Sequence, residues 1–120
     1  MTGYVIFAHG SPIESANEAV RMVAAQMERR GGVLVAAAFL EGGQPDLHGA
    51  VESLAGRVSR IVVVPYFLTL GLHLQRDLPR LAEEVRRAHP KIEIEVTPPL
   101  DGHPAMVDVL LARAREADQA

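Results

Sequence analysis

Tyr4-Val-Ile-Phe-Ala-His-Gly-Ser-Pro12 is the stretch that decides the fold of this chain. Its apolar run ends abruptly at His9, and the Gly-Ser-Pro sequence that follows turns the chain. An unbroken apolar run of this length is typical of a parallel strand that is covered on both faces. In open α/β sheets, ligands bind at the carboxyl ends of the strands. The stretch therefore predicts a buried strand over residues 3–8 that carries an imidazole to the ligand-binding edge of a sheet.

The rest of the chain repeats the alternation of strand and helix. Apolar or alternating runs predict further strands over residues 33–39, 60–66 and 92–96. Helical periodicity predicts helices over residues 15–30, over residues 45–55, from about residue 77 to 88, and from residue 104 onward. Four β-α units indicate one α/β domain over residues 1–120, with a four-stranded parallel sheet and helices on both faces. We expect the flavodoxin-like strand order 2-1-3-4.

Local signals refine the helix boundaries. Ser15 and Glu18 have the spacing of a capping box. Pro79 is compatible with the first turn of a helix that begins near Asp77. The last helix is opened by Pro104, and we expect its apolar stripe to pack inward. That stripe consists of Met106, Val107, Leu110 and Leu111.

Composition excludes several classes of protein. The chain has 120 residues, a net charge of −3 and no cysteine. Thiol catalysis and disulfides are therefore excluded, and the charge does not resemble a nucleic-acid footprint. The apolar runs are too short to predict a membrane span. The N-terminus lacks the pattern of a secretory signal, so we expect a cytoplasmic protein.

Three polar side chains follow three of the predicted strands. His9 ends the first strand, Glu41 lies just after the second, and His73 lies in the apolar loop after the third. Imidazole and carboxylate together suit a borderline divalent metal such as Co²⁺, Ni²⁺, Fe²⁺ or Zn²⁺. Imidazole also suits proton abstraction near neutral pH. The loop leucines Leu68, Leu70 and Leu72 would be exposed in a single chain, which favours a dimer or an apolar ligand.

Structural interpretations of the same residues stay open. A histidine after a strand is often a turn residue whose side chain hydrogen-bonds to the backbone. This alternative stays open for His9. Glu41 is compatible with a solvated loop carboxylate, and His73 with packing in a half-buried loop. His103, next to Pro104, is typical of a helix cap.

Short motifs along the whole chain add a family resemblance. They are Ala8-His-Gly-Ser11, Ala38-Phe-Leu-Glu41 followed by Pro45, Val64-Pro-Tyr-Phe-Leu68, Gly71, His73, Asp77-Leu-Pro79, and Leu100 with His103-Pro104. In this order and spacing they resemble the small CbiX-type sirohydrochlorin chelatases of the class II chelatase family.

The resemblance implies a homodimer of flavodoxin-like half-chelatases around a tetrapyrrole cleft. It implies an ATP-independent lyase that inserts Co²⁺, or else Fe²⁺ or Ni²⁺, into sirohydrochlorin or a close relative, in cobalamin or sirohaem biosynthesis. The resemblance implies that His9 and His73 are the catalytic histidines. It also implies that His9, Glu41 and His73 together bind the metal. Gly10 and Ser11 are the implied substrate contacts. No cofactor is implied beyond the metal, which is itself a substrate.

One departure from the family pattern keeps an alternative open. Pro12 stands where the family usually has a basic residue. A tetrapyrrole with many carboxylates would lose a cationic contact there, which motivates a non-catalytic tetrapyrrole- or metal-binding module. A phosphoryl-transfer enzyme with His9 as nucleophile is a third hypothesis, disfavoured because Ala8 occupies the position of the expected phosphate-binding arginine.

Overall fold

The computed structural model describes residues 1–119 and contains one parallel sheet of four strands. The strands are β1 (Thr2–Ala8), β2 (Leu34–Phe39), β3 (Arg60–Pro65) and β4 (Glu93–Val96). Their order is β2-β1-β3-β4, and every neighbouring pair is parallel. The predicted fold class and strand order are confirmed.

Four helices connect or follow these strands. They are α1 (Glu14–Gly31), α2 (Leu47–Ala55), α3 (Leu72–Ala88) and α4 (Ala105–Glu116), and a short 3-10 helix follows at Ala117–Gln119. α1 packs on one face of the sheet, and α2 and α3 pack on the other. None of the helices described combines the length and apolar character that crossing a bilayer requires.

The central strand β1 is buried on both faces, as its sequence predicts. Val5 and Phe7 pack with α2 and α3, whereas Ile6 and Ala8 pack with α1. Successive side chains of a strand point to opposite faces, so one apolar run serves both cores. β1 is therefore fixed along its whole length, and His9 leaves it from a rigid base.

The starts of α1, α2 and α3 differ from the prediction, and α2 begins at Leu47, two residues after the predicted start. α1 begins at Glu14 with Ile13 as N-cap, and no side chain caps it, so the predicted capping box does not form. α3 begins at Leu72, well before Asp77. Its buried stripe starts with Leu74 and continues through the second half of the helix, so the apolar period extends upstream of the predicted start. Pro79 consequently lies inside α3, at an exposed position.

The expected inward packing of α4 is wrong. No residue of α4 is buried, Val107, Leu110 and Leu111 are exposed, and Met106 is half-buried. Within residues 1–119, α4 makes no extensive contact with another element except the short 3-10 helix that follows it. The apolar stripe exists, but this chain does not cover it.

Strand β4 carries one buried face and one charged face. Ile94 is buried against the α2 and α3 side, as expected for an edge strand with one wet face. On the other face Glu93 and Glu95 are exposed, and Arg60 of β3 pairs with Glu95 at 2.9 Å. The carboxylates of this edge strand oppose the burial of an apolar helix, although Val62 and Val64 on the same face of β3 are apolar.

Candidate functional site

His9 and Glu41 meet at the carboxyl edge of the sheet. The backbone continues the pairing of β1 and β2 beyond the strands, because Leu40 N donates to Ala8 O at 2.9 Å and Glu41 N donates to His9 O at 3.0 Å. The side chains follow, so that His9 Nε2 lies 3.5 Å from Glu41 Oε1. Both side chains are exposed and open to a ligand.

The backbone also orients the His9 ring. Its Nδ1 lies 3.1 Å from the carbonyl oxygen of Gly10. A carbonyl only accepts, so Nδ1 carries the proton in this bond. In the neutral ring, Nε2 then presents a lone pair on the side of Glu41. Histidines that bind metals commonly have their other nitrogen held in this way.

The separation of the two side chains fits a shared metal ion. Two ligands about 2.1 Å from an ion, at the tetrahedral angle, lie about 3.4 Å apart. His9 and Glu41 have that spacing and leave the other coordination positions open. No group of three His, Asp or Glu side chains in residues 1–119 is arranged to hold a metal. Within one chain, therefore, the structure does not bring His73 into a metal-holding group with this pair.

His73 is the second residue of α3 and is exposed. It follows the β3–α3 loop, whose Leu68 and Leu72 are also exposed, the latter at 74%. Leu70 is half-buried, so the expectation that all three loop leucines are exposed holds for two of them. Tyr66 at the start of the loop donates its N–H to Phe7 O of β1 at 2.7 Å. The structure thus places an apolar surface at the edge of the sheet where His9 emerges.

Two glycines permit the close approach of the His9 and Glu41 loops. Gly10 has φ 88°, and a Cβ there would lie 1.6 Å from Glu41 O. Gly42 has φ 70°, and its Cβ would lie 2.9 Å from the backbone of Ser11. L side chains rarely adopt such φ values, and no side chain fits the space. The predicted substrate contacts at Gly10 and Ser11 stay predictions, but both residues belong to this junction.

Asn17 of α1 is a residue of this junction that the sequence interpretation missed. Its amide bonds to the backbone of Ser11 and of Gly42. The available signal was its position, since Asn17, Val20 and Ala24 form the buried stripe of α1. A polar side chain at a core position of an amphipathic helix requires partners.

A polar cleft of about 630 Å³ lies beside this junction, lined by Glu41 and by Arg21 of α1. Arg21 bonds to the carboxylates of Glu14 and Glu18 and to the carbonyl of Gln44. The hydrogen bond from Arg21, and a weaker one from Asn17, lower the pKa of Glu14, and the pairing raises the pKa of Arg21. A cation therefore lines the same cleft as Glu41, although Pro12 offers none.

The side chains of the other three histidines contact residues outside the junction of His9 and Glu41. His103 Nδ1 accepts the N–H of Ala105 at 3.1 Å, so the predicted helix cap is confirmed. His48 lies 3.5 Å from Glu84, and His89 lies 3.4 Å from Glu52.

Comparison with known proteins identifies relatives over the full length. The family model of CbiX matches residues 3–117. A sirohydrochlorin cobaltochelatase of Methanosarcina barkeri is 30% identical, covering 96% of this chain and 95% of its own. One from Sulfolobus acidocaldarius is 31% identical, covering 98% of this chain and 93% of its own.

Solved structures share the fold. A CbiX protein from Marinobacter aquaeolei superposes with a TM-score of 0.81 at 24% identity, covering both chains completely. The sirohydrochlorin chelatase SirB from Bacillus subtilis, solved in complex with cobalt, gives a TM-score of 0.85 at 20% identity. That match covers 96% of this chain and 50% of SirB. Because the family model spans nearly the whole sequence and the fold agrees, this chain belongs to the CbiX family.

Proposed function

We propose that this protein is a sirohydrochlorin chelatase that inserts a divalent metal ion, Co²⁺ first, into sirohydrochlorin or a close relative. The observation that carries the proposal is the pair of His9 and Glu41, whose facing atoms are 3.5 Å apart. Membership of the CbiX family and the names of the relatives support the same reaction.

The donor set limits the choice of metal. One imidazole and one carboxylate suit borderline ions, among them Co²⁺, Fe²⁺ and Ni²⁺. The relatives are named for cobalt, and this places Co²⁺ first. Fe²⁺ and Ni²⁺ follow as alternative substrates, in cobalamin or sirohaem biosynthesis.

Metal insertion requires two steps from this chain's residues. The ion must be held loosely enough to be released, and two protons must leave the N–H groups of the macrocycle. His9 and Glu41 hold the ion with open positions beside it, and His9 Nε2 is free to accept a proton once the ion has moved. His73 is the second proton acceptor, at the exposed start of α3. The sequence has no phosphate-cradling G-x-x-x-x-G-K motif, which supports an ATP-independent lyase.

The macrocycle itself needs an apolar face and cationic contacts. Leu68 and Leu72 offer exposed apolar surface at the carboxyl edge of the sheet. Arg21 lines the polar cleft beside Glu41, but its charge is already paired with Glu14 and Glu18, and Asp46 lines the same cleft. The edge thus supplies the apolar contact, whereas the cleft beside Glu41 carries more carboxylates than cations. The lack of cysteine is compatible with a cytoplasmic enzyme.

We also propose a homodimer. The helix α4 leaves an apolar stripe uncovered, with Leu110 at 65% exposure. A second copy of the same chain is the partner that the family resemblance implies. We expect light scattering to give twice the chain mass, and Leu110→Glu to give the mass of one chain. Arg115→Gln on the same helix is the matched control, and a single-chain mass for the unmodified protein would contradict the dimer.

An anaerobic insertion assay tests the reaction. Metal-free sirohydrochlorin is mixed with protein and with Co²⁺, Fe²⁺ or Ni²⁺ in turn, and the absorption spectrum reports insertion. We expect the protein to accelerate Co²⁺ insertion catalytically. Rates equal to the protein-free mixture contradict the proposal. Saturable binding of metal or macrocycle without turnover identifies the binding module that the loss of the basic residue at Pro12 favours.

A further inference from the structure

We infer that Asn17 is a positioning residue that locks the loop carrying His9 to the loop carrying Glu41 and thereby sets the spacing of the metal-holding pair. Asn17 touches neither side chain of that pair. The effect of Asn17 on metal affinity rests on the proposed function. The hydrogen bonds by which Asn17 joins the two loops are a property of the folded chain alone.

The burial of Asn17 sets it apart from the other polar residues. Among residues 1–119 it is the one polar or charged side chain that is buried, with 1% of its surface exposed. An amide in such a place must satisfy its hydrogen bonds inside the protein. None of its buried atoms lacks a partner.

Each bond of the Asn17 amide goes to one of the two loops or to its own helix. Oδ1 accepts the N–H of Ser11 at 2.9 Å, and Nδ2 donates to Ser11 O at 2.8 Å and to Gly42 O at 2.9 Å. A third, longer contact joins Nδ2 to Glu14 Oε2 at 3.4 Å. An amide has two N–H donors, and Ser11 O and Gly42 O are their two nearer acceptors.

These bonds lie directly behind the metal-holding pair. Ser11 is two residues after His9, and Gly42 is one residue after Glu41. The two loops are in close backbone contact at Gly42, where a Cβ would lie 2.9 Å from Ser11 C. One side chain thus ties both loops to the rigid helix α1. Removing the direct hydrogen-bond partners of metal ligands commonly changes metal affinity by about 10–100-fold. Asn17 acts through the backbone of the two loops, so we expect an effect at the lower end of that range.

Two substitutions separate the lock from general stability. Asn17→Asp keeps the size and the bond from Ser11 N, but its carboxylate cannot donate to Gly42 O. Asn17→Ser is too short to reach both loops and introduces no charge. Val85→Ala removes buried apolar volume from the core on the other face of the sheet, and it controls for lost stability.

The first measurement is hydrogen exchange of the metal-free protein. The Glu41 amide, which donates to His9 O, reports the junction directly. We expect its exchange to accelerate at least about tenfold in both Asn17 variants, beyond the average acceleration of the core amides. In Val85→Ala the exchange of the Glu41 amide should accelerate only as much as the exchange of the core amides. Unchanged protection of Glu41 in both Asn17 variants overturns the inference.

The second measurement is the affinity for Co²⁺ without tetrapyrrole, followed by the visible spectrum of the ion. We expect the affinity to fall by about tenfold or more in both Asn17 variants and to stay unchanged in Val85→Ala. If hydrogen exchange shows that the loops have loosened but the Co²⁺ affinity is unaltered, the positioning role of Asn17 is overturned. If the unmodified protein binds no Co²⁺, the proposed function fails, and the exchange data still decide whether Asn17 locks the loops.

Discussion

His9 Nε2 lies 3.5 Å from Glu41 Oε1, although the two residues follow different strands of the sheet. The pairing arises because the backbone ladder between β1 and β2 continues through both residues. Their relative position is therefore a property of the sheet, and the two side chains should act as one unit.

We predict that His9→Ala and Glu41→Gln each lower the rate of Co²⁺ insertion on the order of a hundredfold. His9→Ala removes one of two donors, Glu41→Gln replaces the carboxylate by a neutral and weaker oxygen donor, and in either case the other residue alone holds the ion poorly. The double variant should lose little more than either single one, because residues that act as a unit are not additive. The anaerobic insertion rate measures all three. His89→Ala, whose imidazole pairs with Glu52, should keep full activity, and multiplying losses in the double variant would contradict a shared site.

His73→Ala is predicted to separate proton transfer from metal holding. His73 belongs to no three-ligand group within residues 1–119, so Co²⁺ affinity without tetrapyrrole should not change. The insertion rate should fall on the order of a hundredfold, because a proton acceptor is lost. Equilibrium titration and the insertion assay give the two values. His48→Ala, on α2, serves as the control, and a parallel loss of Co²⁺ affinity would make His73 a ligand instead.

Gly10→Ala is predicted to destabilise the protein far more than Gly32→Ala. Both glycines have positive φ, which costs an alanine about 1–2 kcal/mol. At Gly32 the added Cβ meets nothing within 4 Å, whereas at Gly10 it would lie 1.6 Å from Glu41 O. Gly10→Ala must therefore also displace the Glu41 loop. Urea unfolding measures both free energies, and equal losses would contradict the contact between the loops.

The stability of the protein should fall as acid protonates Glu14. Its pKa is lowered from the ordinary value of 4.5, first by the hydrogen bond from Arg21 and then by that from Asn17. A lowered pKa in the folded state means that the unfolded chain binds the proton more readily. The stabilisation is thus present above pH 4.5 and is lost as the pH falls through the lower, folded value.

Arg21→Gln should weaken this acid dependence. The free energy of unfolding, measured in urea at neutral pH and at several pH values below 4.5, should fall less steeply with acid than in the unmodified protein. Arg57→Gln, on the exposed loop before β3, is the control for loss of one positive charge. An identical acid slope in Arg21→Gln and the unmodified protein would show that the pairing does not contribute.

The sheet could be predicted from the sequence because its signals are periodic and local. The apolar run of β1 requires two covered faces, and the alternation in β4 requires an edge, so strand order follows from few alternatives. Helix starts were harder, because the N-cap of α1 carries no side-chain bond and α3 begins before its proline.

Two features depended on contacts that no local pattern specifies. The stripe of α4 is amphipathic like that of a buried helix, yet the surface open to it carries Glu93 and Glu95. The junction around Asn17 joins segments that are distant in sequence through main-chain groups of Ser11 and Gly42, and backbone partners leave no trace in residue identity. The sequence predicted that His9 and Glu41 share an edge, and the backbone determines their distance.

The continuation of the β1–β2 ladder into His9 and Glu41 has a thermodynamic consequence. Only the folded chain contains the pair, because α1 must close its crossover before the two strands meet. An ion bound there consequently shifts the folding equilibrium, by an amount that grows with the ratio of free ion to dissociation constant. Weak retention suits an ion in transit and keeps that shift small. From the proposed function we therefore expect the supply of metal and the folded fraction of this protein to be linked through one imidazole and one carboxylate.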